Sequence, residues 1–215
     1  MHLAIFGGTF NPVHFGHLRG AEEVIEKSSA DRVLFIPVAR PPHKDDVELS
    51  SPEHRLEMLR LAIEGNPAFA ISELEIKRGG ISYTIDTLSE ILDSYSDKPD
   101  LSLVIGTDSF NELSSWHRYV DILRLANLIV IRRPGEEREK IEDVLPVELA
   151  GSFCYDSKVD VFLNSEGRSI KFLDSVQMDI SSSMIREFIS RGESVRHLTS
   201  DKVVDYIEKN KLYRD

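Results

Sequence analysis

His2-Leu3-Ala4-Ile5-Phe6-Gly7-Gly8-Thr9-Phe10-Asn11-Pro12-Val13-His14-Phe15-Gly16-His17 passes from an apolar run into paired glycines and then into a helix start. Residues 2–6 are short, apolar and closed by glycine, the pattern of a strand buried in a parallel sheet. Gly7 and Gly8 let main-chain N–H groups approach an anion with no Cβ in the way. The helix expected near Gly16–Arg19 adds N-terminal amides and a dipole that favour phosphate. The stretch is neither GxGxxG nor GxxxxGK[ST], so hydride-transfer dehydrogenases and P-loop NTPases lose their main support.

The same alternation of strand and helix continues outward. Strands are expected at 2–6, 32–37, 70–76, 101–105, 127–131 and 170–173. A helix starts at Ser51-Pro52, an N-cap followed by proline at the first helical position, and stops at Gly65. Others start near Thr84, which serves as cap, near Ser181 and near Ser200. Strands alternating with helices, joined by right-handed crossovers, give an α/β fold with a Rossmann-like doubly wound parallel sheet. One domain over 1–215 is expected, with a core at 1–178 and a small C-terminal helical part at 179–215. Residues 134–168 break the pattern and are expected to form a peripheral excursion. In such sheets ligands sit beyond the strand ends where the strand order reverses, between the first and fourth strands in the common order. Those strands end in Phe6-Gly7-Gly8-Thr9 and Ile105-Gly106-Thr107-Asp108.

Composition narrows the class. The chain has 215 residues, 41% hydrophobic and 29% charged, which is ordinary globular usage. Lys and Arg number 26 against 37 Asp and Glu, a net charge of −11, so no broad nucleic-acid-binding face is expected. The single Cys154 fits a reducing compartment. The first residues lack a basic segment and a long apolar run, and no later stretch approaches the roughly 18 apolar residues of a membrane span. A cytoplasmic protein without membrane partners is the expectation.

Two segments carry chemistry. His14 and His17, three apart, occupy neighbouring positions at a helix start. They can be phosphate donors, half of a zinc site or polar loop residues, and the absence of a Cys or HExxH partner weakens the zinc reading. Asp179-Ile180-Ser181-Ser182-Ser183-Met184-Ile185-Arg186 opens a second helix. Its hydroxyls can donate to an anion or cap free N–H groups, and Arg186 lies within reach of Ser182 and Ser183. The alternative is a serine-rich cap beside a solvated arginine.

With Gly-Gly-Thr-Phe before it, His14-Phe15-Gly16-His17 resembles the HxGH signature of the nucleotidyltransferase superfamily. Ser181-Ser182-Ser183 through Arg186 resembles its second signature, ISSTxxR, with Ser183 in place of Thr. Four segments between them narrow the resemblance to bacterial-type nicotinate-nucleotide adenylyltransferases. These are Pro41-Pro42-His43-Lys44, Ser82-Tyr83-Thr84-Ile85-Asp86-Thr87-Leu88, Gly106-Thr107-Asp108 with Trp116-His117, and Arg132-Arg133-Pro134-Gly135.

The resemblance implies a nucleotidyltransferase that moves the adenylyl group of ATP to nicotinate mononucleotide. The products would be nicotinate adenine dinucleotide, an intermediate of NAD biosynthesis, and pyrophosphate. It implies His14, His17, Lys44 and Arg186 as catalytic residues. ATP would meet Gly7, Gly8, Thr9, Phe10, Gly106, Asp108, Arg133, Ser181, Ser182 and Ser183. The pyridine nucleotide would meet Tyr83, Thr84, Trp116 and His117. Mg²⁺ would arrive on the ATP phosphates, with no protein metal ligands assigned. Nicotinamide mononucleotide or phosphopantetheine stand as alternative acceptors, and a homo-oligomer is left open. Asn11 departs from the family's usual Asp, and 136–168 matches no motif.

Overall fold

The computed structural model describes residues 1–39, 49–132, 140–176 and 178–214. Eight strands join in one sheet among the described residues. They are β1 (His2–Gly8), β2 (Arg32–Pro37), β3 (Phe69–Ile71), β4 (Asp100–Gly106), β5 (Asn127–Arg132), β6 (Phe153–Asp156), β7 (Val161–Asn164) and β8 (Ser169–Asp174). Their order is β3-β2-β1-β4-β5-β8-β7-β6, so the order reverses between β1 and β4 as expected for a doubly wound sheet. The pairs β1–β4, β4–β5 and β5–β8 are parallel, with Phe6 opposite Val104 and Gly106 opposite Ile131.

The helices are α1 (Phe15–Lys27), α2 (Pro52–Ile63), α3 (Leu74–Arg78), α4 (Thr84–Ser94), α5 (Thr107–Asn111), α6 (Tyr119–Leu125), α7 (Ile141–Val144), α8 (Val147–Ala150), α9 (Ser182–Ser190) and α10 (Asp201–Asn210). Ser51 caps α2 by accepting from His54 N, and Pro52 takes the first helical position. Gly65 follows the helix with φ +86°, which a side chain would resist. No helix of the described residues is long and apolar enough to cross a membrane.

The chain forms two compact units. The first comprises Met1–Phe6, Val24–Val33 and Tyr83–Ser175. Its core is the apolar strand run Leu3, Ile5, Leu101, Val104, Leu128, Val130 and Ile170, with Leu88 of α4 and Ile122 of α6 also buried. The second comprises Gly7–Glu23, Leu34–Ser82 and Val176–Asp215. It buries Phe10, Val13, Phe35, Met58, Leu59, Ile185, Val203 and Ile207.

Two expectations need correction, and one segment gains detail. The strand expected at 70–76 is only Phe69–Ile71, and residues 74–78 turn into α3. Ser72 Oγ accepts from Leu74 N at 3.4 Å, and this local bond redirects the chain into a run of good helix formers. Within the expected excursion, residues 140–168 contribute two helical turns and a β6–β7 hairpin that extends the sheet antiparallel from β8. Its four-residue strands are too short to show a period, yet Phe162 packs edge-on to Phe172 at 6.2 Å between ring centres. Finally, Tyr83 rather than Thr84 occupies the cap position of α4, with no side-chain cap bond.

Candidate active site

In the second unit, β1 runs out at Gly8 into the loop 9–14. A Cβ on Gly8 would lie 2.9 Å from Phe10 Cζ, so this glycine makes room for a ring of the protein itself. Gly7 has no neighbour within 4 Å of an added Cβ. Phe10 is fully buried at φ +48°, edge-on to Phe35 and His17 with ring centres 5.7 and 5.1 Å apart. Its side chain belongs to the core, which leaves only its main chain for a ligand. The two imidazoles expected to act together do lie together: the rings of His14 and His17 are 3.7 Å apart, tilted by 33°. His14 N donates to His17 Nδ1 at 3.3 Å. That bond assigns the proton of a neutral His17 ring to Nε2, which makes that nitrogen a donor.

The loop's carbonyl groups are held one by one. Arg55 Nη1 donates to Thr9 O at 2.9 Å, and Arg186 Nη1 to Asn11 O at 2.8 Å. Ser182 Oγ donates to Pro12 O at 2.8 Å, and Thr199 Oγ1 to Val13 O at 2.9 Å. His14 O accepts from His17 N and Leu18 N at the start of α1. The segment 181–186 therefore divides its work. Ser181 caps α9 by accepting from Met184 N at 3.1 Å, Ser182 anchors the loop, and Ser183 Oγ accepts from Arg186 Nη2 at 3.2 Å. In this structure Ser182, Ser183 and Arg186 converge on the histidine loop and on one another.

Two residues of this arrangement were missed in the sequence. Arg55 is 1% exposed and also donates to Ser50 O, Val38 O and Ala39 O at 3.1, 2.7 and 3.2 Å. Among the described residues no carboxylate pairs with it, and carbonyl dipoles carry the compensation. Burial pushes its pKa below the ordinary arginine value, yet a guanidinium keeps its charge at neutral pH. A signal existed, because Arg55 lies on the stripe of α2 shared with Met58 and Leu59, where a charge is out of place. Tyr213 left no such trace. Its Oη donates to Asn11 Oδ1 at 2.8 Å, and Asn11 Oδ1 also accepts from Ser50 N at 3.2 Å. Burial pushes the Tyr213 hydroxyl up to about 12, so it is a proton donor throughout the neutral range. Tyr213 Oη and Ser50 N are neutral donors, and an amide oxygen accepts from them without burying a carboxylate charge.

In the first unit, Tyr83 stands at the head of α4 with its carbonyl accepting from Asp86 N and Thr87 N. Its ring lies 4.6 Å from that of His117, centre to centre. Thr84 is the first helical residue, and the half-buried Trp116 precedes His117. The expected group of Tyr83, Thr84, Trp116 and His117 thus falls within one unit, with Tyr83 and His117 in direct ring contact. Gly106 and Asp108 are in the same unit, at the end of β4 and the start of α5, where Thr107 Oγ1 donates to Ile131 O at 3.3 Å. Lys44 and Arg133 lie outside the described residues. Among the described residues no three His, Cys, Asp or Glu side chains group so as to hold a metal ion.

Comparison with known proteins bears on the family. The cytidylyltransferase-like family model matches residues 5–188. A probable nicotinate-nucleotide adenylyltransferase of Citrifermentans bemidjiense is 47% identical over 215 residues, covering 100% of this chain and 99% of its own. One from Trichlorobacter lovleyi is 42% identical over 214 residues, with 100% of both chains covered. The fold is shared with Plasmodium falciparum nicotinic acid mononucleotide adenylyltransferase, solved with NaAD. That chain aligns with a TM-score of 0.74 at 16% identity, over 99% of this chain and 97% of that one. Identity of this extent over whole chains, on a loop built around His14 and His17, places the chain in the nicotinate-nucleotide adenylyltransferase family.

Proposed function

We propose that this protein transfers the adenylyl group of ATP to nicotinate mononucleotide, releasing pyrophosphate and forming nicotinate adenine dinucleotide. The observation that carries the reading is the pair of imidazoles 3.7 Å apart at the head of α1, on a loop with four of its carbonyls bonded to side chains. A phosphate chain needs donors and few facing carbonyl oxygens, and the bonds to Thr9, Asn11, Pro12 and Val13 favour that arrangement. An oxygen of the substrate's 5′-phosphate attacks the α-phosphorus of ATP in line. The new P–O bond forms as the bond to the β-phosphate oxygen breaks. The nucleophile is already an anion, so no protein base has to take a proton. His14, His17 and Arg186 stabilise the charge gathering on the departing pyrophosphate, and Lys44 and Arg133 join them in this reading. Gly7, Gly8 and the main chain of Thr9 and Phe10 line the triphosphate, with Ser181, Ser182 and Ser183 holding the helix that carries Arg186. Gly106 and Asp108 are assigned to the ATP side. The donor set around the histidines is neutral or cationic, which fits Mg²⁺ carried by the phosphates; when bound, it neutralises their charge.

Tyr83, Thr84, Trp116 and His117 are assigned to the pyridine nucleotide. The amides at the head of α4 suit a carboxylate, and Trp116 suits the ring. The test is pyrophosphate release from ATP and Mg²⁺ with either nicotinate or nicotinamide mononucleotide. Release with the acid form and little with the amide is expected; no release with either sinks the reading. Trp116→Ala is expected to raise KM for the mononucleotide roughly tenfold with kcat nearly kept, because stacking acts equally in ground and transition states. Loss confined to kcat would remove Trp116 from the pyridine site.

A further inference from the structure

Phe10 adopts a left-handed backbone, φ +48°, which is disfavoured for a residue with a side chain and persists only where its surroundings enforce it. The residues on either side of it are the ones held from below. Thr9 O takes a bond from Arg55 and Asn11 Oδ1 takes one from Tyr213. We propose that Arg55 and Tyr213 form a clamp that positions the phosphate loop, acting on ATP through main-chain orientation without touching it. The inference rests on the adenylyl-transfer reading above.

The physical case follows from the planar trans peptide, in which C=O and N–H point opposite ways. With Thr9 O directed at the buried guanidinium, the N–H of Phe10 is directed away from it. The negative end of the carbonyl dipole is thereby kept from the side that would face phosphate. Arg55 does this for three chain segments at once, using four of its five N–H donors on Thr9, Val38, Ala39 and Ser50. A lysine ammonium carries the same charge but lacks the planar fork, so it cannot hold all four carbonyls. Tyr213 fixes the other flank with a single hydroxyl, and Ser50 is common ground, because its N–H meets Asn11 and its carbonyl meets Arg55.

The experiment is steady-state kinetics of Arg55→Lys and Tyr213→Phe against the wild type, each assayed well below its melting temperature and normalised to folded protein. Arg55→Lys is expected to lower kcat/KM for ATP roughly tenfold while KM for nicotinate mononucleotide stays within about twofold. Tyr213→Phe is expected to act in the same direction by roughly threefold. A merely structural role would lower the melting temperature and leave this split between substrates unmoved. Unchanged kcat/KM for ATP in both variants, or equal weakening of both substrates, overturns the clamp. Should Arg55→Lys fail to fold, Tyr213→Phe decides alone, and an unchanged kcat/KM for ATP in it is then the overturning result. An inert wild type overturns the proposed reaction and the clamp with it, which separates the two failures.

Discussion

His17→Ala is expected to lower turnover by about 10²–10³-fold, the scale of losing one preorganised donor to a transition-state anion. The expectation comes from how the ring is set. Its Nδ1 is taken by the N–H of His14, so Nε2 carries the proton, and the ring of His14 lies 3.7 Å away against it. Alanine removes the donor, and it also leaves the His14 amide without its acceptor. The ring is half-buried, and its bond to the His14 amide is of the kind that contributes about 1 kcal/mol to a fold. The loss should therefore appear in kcat, with KM for ATP changed several-fold at most, because the charge on departing pyrophosphate grows as the bond breaks. Single-turnover pyrophosphate release at saturating ATP separates the two. Near-normal turnover in that variant would remove His17 from the mechanism.

What could be read in the sequence was what local chemistry dictates. The apolar run of β1, the Ser51-Pro52 start of α2 and the Ser181 cap of α9 are set by residues within a few positions of one another. The pairing of β1 with β4 followed from topology rules that leave few alternatives for alternating strands and helices. The hairpin of β6 and β7 was missed because each strand has four residues and the turn between them is polar. At the site, His14 and His17 were legible because their spacing on a helix start forces them together. Arg186 was read as a partner of Ser182 and Ser183, and it does meet Ser183, but its bond to Asn11 O spans 175 positions. Bonds of that kind follow from tertiary packing, and so does the link from Tyr213 to Asn11, 202 positions away. The role of Gly8 was legible only in part. The sequence reading has the glycine opening the main chain to an anion, whereas the structure shows it yielding space to Phe10.

The charge balance also takes on a sharper meaning. With a net charge of −11, the protein repels polyphosphates at long range, and binding depends on groups placed one at a time. The loop after β1 meets that demand by directing dipoles. Four carbonyls are turned toward Arg55, Arg186, Ser182 and Thr199. Arg55 in particular spends its charge inside the protein, where desolvation would be prohibitive without the carbonyls around it.

Gly16→Ala is expected to keep or slightly raise thermal stability while lowering kcat/KM roughly 10²-fold. Gly16 is the second residue of α1, and alanine is the better helix former by up to about 1 kcal/mol. No positive φ makes the position a glycine site on backbone grounds. The obstacle is the neighbouring side chain, since an added Cβ would stand 3.0 Å from His14 Nδ1 and 3.1 Å from its Cε1. His14 is 7% exposed and backed by the His17 ring at 3.7 Å, so it cannot swing freely aside. It has to shift by a few tenths of an ångström, and His17 shifts with it. Displacements well below 1 Å matter where catalysis depends on alignment, and about 1 Å can cost roughly 10²-fold. Melting temperature and kcat/KM measured on the same preparation separate the two effects. Full activity in a normally stable Gly16→Ala protein would show that the pair tolerates displacement, and the glycine between the histidines would then need another reason. Lost activity with intact stability would locate that reason in the His14 ring, the one group the new methyl group reaches within 3.5 Å.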